Sequence, residues 1–499
     1  MLRYLRSLFG GSPVTATALA RTAGAARPVL RGRYDAAQTN DANRRHWAFA
    51  DGMSADAAAN PDVRRILRNR ARYECANNAI ARGMVETLAN DTIGTGPRLQ
   101  MLVEGNPAAN AAVEQAFSAW CKAVNLPEKL RTMRSARVDS GETFALLTFN
   151  PGLANPVKLD VRLIEADQVA TPDRFLFDST SVDGIVFDRF GNPTHYHILK
   201  SHPGADDAAY QYGQVYDTVA ARSVIHYFRA TRPGQSRGIP DLTPALPLFA
   251  QLRRFTLATI AAAETAANFA GILYTDAPPN GEADEVEPMD GIELDANALT
   301  TMPAGWKMGQ MTAEHPATTH AEFKRAIITE AARCVLMPYN IAAGDSSGYN
   351  YASGRMDHQV YYKSIRVEQE SIGRNVLDRI FAEWLAEAVL ISGLIPARFR
   401  SVLATTTVPP HIWFFDGTEH VDPAKEATAQ QTRLASNTTT LAAEYAKQGK
   451  DWEPEVRQRA KEINLLRELG ITPEQAAPPA NTKPELDPEE IAEELQNAA

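Results

Sequence analysis

The chain has 499 residues, 44% hydrophobic and 22% charged, with a mean hydropathy of −0.30; these values are ordinary for soluble globular proteins and argue against wholesale disorder or a membrane-spanning architecture. At about 150 residues per domain, the length suggests roughly three domains or one elaborate subunit. Sixty acidic residues against 51 basic ones leave a net charge of −9, which excludes a uniformly basic body gripping nucleic acid and leaves only local contacts with it.

Residues 1–33 hold no acid and are rich in Ala, Gly, Thr and Arg, the composition of a basic arm that stays mobile until it meets a partner. The apolar start is broken by Arg6, Gly10, Gly11 and Pro13 and is too short for a secretory signal. Residues 61–83 read as one helix, with Ile66, Tyr73 and Ile80 on its apolar face. Arg64, Arg65, Arg68, Arg70 and Arg72 then crowd a solvated face or one contacting a subunit or DNA. A second helix is expected over 108–124.

The period then changes to two. Val157, Leu159, Val161 and Leu163 alternate with Lys158, Asp160 and Arg162, as in a half-buried strand. Segments 185–189 and 195–199 flank Gly191-Asn-Pro193 as a hairpin, and 223–228 is another strand candidate. Beyond Pro240, long helices are expected over 243–270, 321–336 and 355–391. Ile365, Ile372, Val376, Ile380 and Trp384 form one stripe of the last. Between the first two lies an acidic insertion with Glu282, Asp284, Glu285, Glu287, Asp290, Glu293 and Asp295. Asp422 and Pro423 open a further helix, Val456, Ala460, Ile463 and Leu466 stripe another, and Gly470 ends it. The Pro- and Glu-rich tail from 473 reads as disordered. The whole is a mainly helical α+β pattern.

Chemical motifs are few. Gly344-Asp345-Ser346-Ser347-Gly348 matches G-x-S-x-G, but a nucleophile elbow needs a buried strand running into the turn, and here a helical pattern and Pro338 precede it; a loop is the plainer reading. His195 and His197 share a strand face with His202 nearby, yet no further ligand cluster is evident, so exposed histidines are expected and no metal. Cys75, Cys121 and Cys334 are scattered and odd in number, which points to reduced thiols in a cytosolic setting and against structural zinc. Gly94-Thr-Gly-Pro97 is a turn, lacking the third glycine and downstream acid of a dinucleotide fingerprint. No G-x-x-x-x-G-K-[ST] occurs, so nucleotide hydrolysis would belong to another chain. No catalytic residue or cofactor is assigned.

An ordered series of short stretches resembles the lambda-like family of portal (head-to-tail connector) proteins of tailed bacteriophages. It runs Tyr34-Asp-Ala-Ala-Gln-Thr-Asn-Asp-Ala-Asn-Arg-Arg-His-Trp47, Leu67-Arg-Asn-Arg-Ala-Arg72, Asn77-Asn78, Ile93-Gly-Thr-Gly96 and Ser140-Gly-Glu-Thr-Phe144. Gly344-Asp345 with Tyr349-Asn-Tyr-Ala-Ser-Gly-Arg355, and Val421-Asp-Pro-Ala-Lys-Glu426, complete it.

The resemblance implies a ring, usually of twelve subunits, at one capsid vertex of the virion, assembled in the host cytoplasm, through which double-stranded DNA is packaged and ejected. It implies a flexible arm over 1–33, an α+β wing over 34–240, stem helices over 241–271 and 319–337 and a clip over 272–318. A wing return helix and following segment would cover 355–418, a helical crown 419–472 and the acidic tail 473–499. Residues 338–354 become the candidate tunnel loop, with Gly344, Asp345, Ser346, Ser347, Gly348, Tyr349 and Asn350 facing DNA, and the acids Glu282 to Asp295 become the docking site for the packaging motor. Implied partners are the terminase large subunit, a head-tail adaptor, the major capsid and scaffold proteins and passing DNA, with no membrane. Two other classes compete: a serine hydrolase using Ser346 and a DNA-binding regulator using the arginine-rich helix 64–82. The first needs acid and histidine partners on strand ends, the second a compact basic motif reading base edges; neither is visible.

Overall fold

The computed structural model describes residues 41, 43–172, 180–205, 215–268, 272–275, 306–309, 320–401, 408–417 and 423–470. The basic arm, the clip acids Glu282 to Asp295, Asp422 and the acidic tail lie outside the described residues. The chain divides into two units, residues 1–54 and 55–499. In the first, the described part is a run of turns in which the His46 ring stands edge-on to Trp47 at 5.8 Å. The regular structure among the described residues lies in the second.

The arginine-rich segment is two helices, α1 (Pro61–Asn77) and α2 (Ala79–Ile93), rather than one. Asn60 caps α1 by accepting from the Val63 N–H, and Asn78, in extended conformation between the helices, accepts from Ile80 and Ala81. An asparagine side chain that binds the backbone locally ends a helix as readily as it begins one. The face also differs from the one expected, although Arg65 and Arg70 are exposed. Arg64 and Arg68 are 2% and 5% exposed, whereas Ile66 and Tyr73 are 46% and 53% exposed. Helical periodicity identified the stripe, but the partners of its buried side are carboxylates far away in sequence.

Next come β1 (Arg98–Met101), α3 (Pro107–Ala123) and α4 (Leu126–Ser140). An antiparallel sheet follows in the order β3 (Leu159–Ile164), β2 (Glu142–Phe149), β8 (Val224–Phe228); Phe144 sits opposite both Ile164 and His226. Strands β4 (Ser181–Val182), β5 (Ile185–Phe187), β6 (Pro193–Leu199) and β7 (Tyr216–Ala220) form a second antiparallel sheet in chain order. Its β5–β6 turn is fixed by the Asp188 carboxylate, which accepts from the backbone of Phe190 and Asn192 and from the Asn192 side chain.

Helix α5 (Leu246–Asn268) is followed by β9 (Ile272–Thr275), which pairs antiparallel with β10 (Trp306–Gly309). Then come α6 (His320–Arg333), the short α7 (Tyr339–Ala343), α8 (Tyr351–Ile372) and α9 (Asp378–Ala388). The last two are joined by a π-helical turn over Gly373–Leu377; the sequence pattern reads as one helix because the helical path continues through it. β11 (His411–Phe414) returns to pair with β1, and α10 (Pro423–Ala435), α11 (Leu441–Lys447) and α12 (Trp452–Glu468) close the described chain.

Three cores hold these elements among the described residues, the smallest of them packing Phe144, Ile164 and Val224 against Ile185, Tyr196 and Ile198 of the second sheet. In the first, the expected stripe Ile372, Val376, Ile380 and Trp384 is buried against α3, α4 and the sheet. Phe117 there meets Trp384 and Phe381 edge-on at 5.1 and 5.4 Å, a favourable arrangement for ring quadrupoles. Trp120 donates its indole N–H to the Leu159 carbonyl at 2.8 Å. The second core joins α2, α5, α6 and the middle of α8 through Met84, Leu88, Phe249, Ile328, Tyr361 and Ile365. Helix α12 is different: none of its 17 residues is buried.

Candidate functional site

The loop Gly344–Asn350 is locally determined. Gly344, at φ +65°, ends α7, and its N–H donates to the Asn340 carbonyl. The Asp345 carboxylate accepts from the Ser347 N–H at 2.9 Å and from the Tyr339 hydroxyl at 3.4 Å. The Ser347 contacts hold its pKa below the usual carboxylate range. Tyr349 N–H donates to Ser346 O, and Asn350 forms a reciprocal capping box with Ser353 at the start of α8. Ser346 therefore sits in an exposed turn between two helices, without the strand that a nucleophile elbow requires. The segment itself contains no base, but α6 supplies one. The Arg325 guanidinium lies over the Tyr339 ring at 4.6 Å and presses against Gly348.

Built from other elements, a buried ion network centres on Glu142, at the start of β2. Gly141 before it has φ +89°, and any Cβ there would lie 2.5 Å from the Ile239 carbonyl carbon, so only glycine allows the strand and segment 237–240 to approach. Glu142 is fully buried and receives Arg237 Nε at 2.9 and 3.0 Å and Arg237 Nη2 at 2.7 Å. It also accepts from the Gly238 N–H and lies 2.9 Å from His226 Nε2. The remaining Arg237 donors reach the Val169 and Ala166 carbonyls and Asp183. Arg64 pairs with Asp183, and Arg68 lies 3.5 Å from Glu142 and 3.3 Å from Asp167. Burial pushes the Glu142 pKa up, but the Arg237 charge and the His226 contact outweigh it and hold the carboxyl well below its usual range. Burial lowers the His226 pKa.

A second set lies along α8. The Glu368 carboxylate accepts from Arg137 and from the Tyr227 hydroxyl, all three buried. These are structural ion pairs. Of the five arginines expected on a solvated or DNA-facing side of α1, Arg64 and Arg68 are buried in these pairs and Arg72 spans Glu165 and Asp167, while Arg65 and Arg70 stay exposed.

The two strand histidines diverge. His195 is exposed, while His197 is buried with Nδ1 3.2 Å from Thr218 Oγ1, so they do not form an exposed pair. His202 instead approaches Glu165 and Asp167, each offering a ligand atom within 4.8 Å of the others. Arg72 already spans both carboxylates at 3.2 and 2.8 Å, and a cation would have to displace that guanidinium. Cys75, Cys121 and Cys334 are free thiols, each pushed up to about 12 by burial, which leaves them protonated and unreactive at neutral pH. A cleft of about 850 Å³ opens between β1–α3 and α11–α12, lined among others by Glu114, Asp451 and Arg457.

Three comparisons bear on the chain. Residues 41–369 match the family described as "Phage portal protein, lambda family". A "Probable portal protein" of Halomonas phage phiHAP-1 is 25% identical over 497 residues, covering 94% of each chain. Among solved structures, a chain from "Neck of native GTA particle computed with C12 symmetry" is 13% identical, with a TM-score of 0.44 over 77% of this chain and 92% of that one. A chain from "Neck of empty GTA particle computed with C6 symmetry" is 13% identical, with a TM-score of 0.45 over 76% and 92%.

The network dictates a pH dependence. Unfolded His226 takes up a proton near 6.5 and unfolded Glu142 near 4.5, while both folded pKa values lie lower. In each case the unfolded chain binds more protons, so stability is present above these values and is lost as pH falls through and below them. Urea unfolding should show a falling midpoint from pH 7 towards 4. Glu142→Gln should lose the steeper limb below 4.5 and cost about 3–5 kcal/mol at pH 7 by leaving Arg237 buried and unpaired. A flat profile in the wild type would remove this account.

Proposed function

Because this chain belongs to the lambda family of phage portal proteins, we propose that it forms the portal ring of a tailed-phage particle, the channel through which double-stranded DNA is packaged and ejected. The observation that carries the reading is the family match across residues 41–369, which spans the three- and four-stranded sheets, the helices α1 to α7 and most of α8. The ring has about twelve subunits and sits at one capsid vertex of the virion after assembly in the host cytoplasm. Its neighbours are the major capsid and scaffold proteins and a head-tail adaptor. The net charge of −9 suits a conduit: a lumen that neutralised many phosphates would gain affinity by counterion release and hold the DNA.

Within the ring, residues 34–240 with the return segment 355–418 make the wing, 241–271 and 319–337 the stem, 272–318 the clip and 419–472 the crown. Helices carrying uncovered apolar side chains support assembly: Met356, Val360 and Val367 follow one exposed stripe of α8, and Val456 and Leu465 are exposed on α12. Contiguous exposed apolar surface marks a contact with another molecule. The motor is a separate chain, the terminase large subunit, docking on the clip acids Glu282, Asp284, Glu285, Glu287, Asp290, Glu293 and Asp295 through their repeated negative charge. The loop Gly344–Asn350 reaches towards DNA in the channel.

Native mass spectrometry and negative-stain imaging of the purified protein should show rings with a central hole; a stable monomer across a wide concentration range would sink the portal reading. Neutralising several clip acids should leave rings intact and weaken terminase binding, most visibly at low salt, and unchanged binding would move the docking surface elsewhere. Replacing Asp345 to Tyr349 by a short Gly-Ser linker should leave rings that package or retain DNA poorly. Failure to assemble would assign the loop to the subunit interface instead.

A further inference from the structure

We propose that Arg325, on α6, is the residue that meets DNA phosphates at the loop Gly344–Asn350; this rests on the reading of that loop as channel-facing. The loop itself offers Asp345 and no cation, so its contact with a polyanion would be neutral or repulsive on sequence grounds. The fold changes this. Arg325 is exposed and its guanidinium is ordered from two sides, by the Tyr339 ring at 4.6 Å and by Gly348. A Cβ at Gly348 would sit 2.7 Å from Nη1 and 3.2 Å from Nη2, so the absence of a side chain there makes the seat.

The charge of Arg325 is also left available. Glu322 lies three residues earlier on the same helix, the spacing at which Arg65–Asp62 and Arg131–Glu128 pair, yet among the described residues no carboxylate lies within ion-pair distance of Arg325. The nearby Asp345 carboxylate is hydrogen-bonded by Ser347 and Tyr339 and feels the Arg325 charge only through space, as a smaller influence than the Ser347 contacts. A planar guanidinium held on an aromatic face keeps its donor edge presented and loses little freedom on binding, which suits a phosphodiester oxygen pair. Such a contact positions the backbone and reads no sequence.

One such cation per subunit, with an acid beside it, gives a ring a belt of single, evenly repeated contacts. Each is weak and salt-sensitive, and DNA advancing through the ring exchanges one for the next. This is a mechanism for guidance without retention, and it places the channel's cation on a helix outside the loop.

The test uses full-length wild-type rings and a short DNA duplex, with affinity measured against salt and ring integrity checked by native mass spectrometry. Arg325→Gln should leave rings intact, lower affinity severalfold at low salt and reduce the slope of log K against log salt by about one for each phosphate no longer neutralised. Arg325→Lys should restore much of the slope, since the charge returns. Gly348→Ala should weaken binding with the charge retained, because the methyl group displaces the guanidinium. Intact Arg325→Gln rings with wild-type affinity and slope would overturn the inference alone. Loss of the ring in Arg325→Gln would overturn it in favour of a subunit contact. Wild-type rings that bind no duplex at low salt would instead remove the channel-loop reading beneath it.

Discussion

The buried pair of Glu142 and Arg237 is the constraint around which the α+β part of the chain is arranged. Two opposite charges removed from water are costly unless every remaining donor and acceptor is met, and here they are met by elements distant in sequence. Arg237 draws in the Ala166 and Val169 carbonyls after β3 and Asp183 in the β4–β5 turn. Glu142 draws in His226 on β8 and the Gly238 N–H. The pair thus fixes where the two sheets, α1 and segment 237–240 meet. A hydrophobic contact in the same place would tolerate sliding, because burial is not directional, whereas a forked guanidinium on a carboxylate is.

The long helical segment α8–α9 is anchored in two different ways along its length. At its C-terminal half the anchoring is apolar, through Val376, Ile380, Phe381 and Trp384 in the aromatic core. One turn before the π-helical turn, it is ionic, through Glu368 held by Arg137 of α4 and Tyr227 of β8. Tyr361 continues the attachment by donating to Asp91 of α2 at 2.7 Å. The loop Gly344–Asn350 is therefore fastened to the rigid body on its α8 side, while its other side rests on α7 and Arg325. A loop so held presents a defined surface.

What the subunit does not cover is as informative as what it buries. Helix stability in proteins comes mostly from packing an amphipathic face, yet α12 buries no residue and α8 leaves Met356, Val360 and Val367 exposed opposite its buried stripe. A head-to-tail ring needs two different faces on each subunit that complement one another around the circle. In the ring proposed above, uncovered faces on separate helices would meet that need without any rearrangement of the cores.

The sequence by itself determined the secondary structure that depends on local pattern. The strands around Val161 and Val224, the hairpin at Gly191, and the buried stripe from Ile365 to Trp384 all follow from periodicity of two or 3.6 and from turn residues, since these signals lie within a dozen residues of each other. The ordered motifs likewise carried the family. Tertiary structure alone decided which face of α1 is buried, because Arg64 and Arg68 are recruited by Asp183, Glu142 and Asp167, whose positions no local pattern encodes. It alone separated His195 from His197, and it alone brought Arg325 to a loop that begins 19 residues later. Charge pairing acts through space between groups that the chain sets far apart, so it becomes visible only when the fold has brought them together.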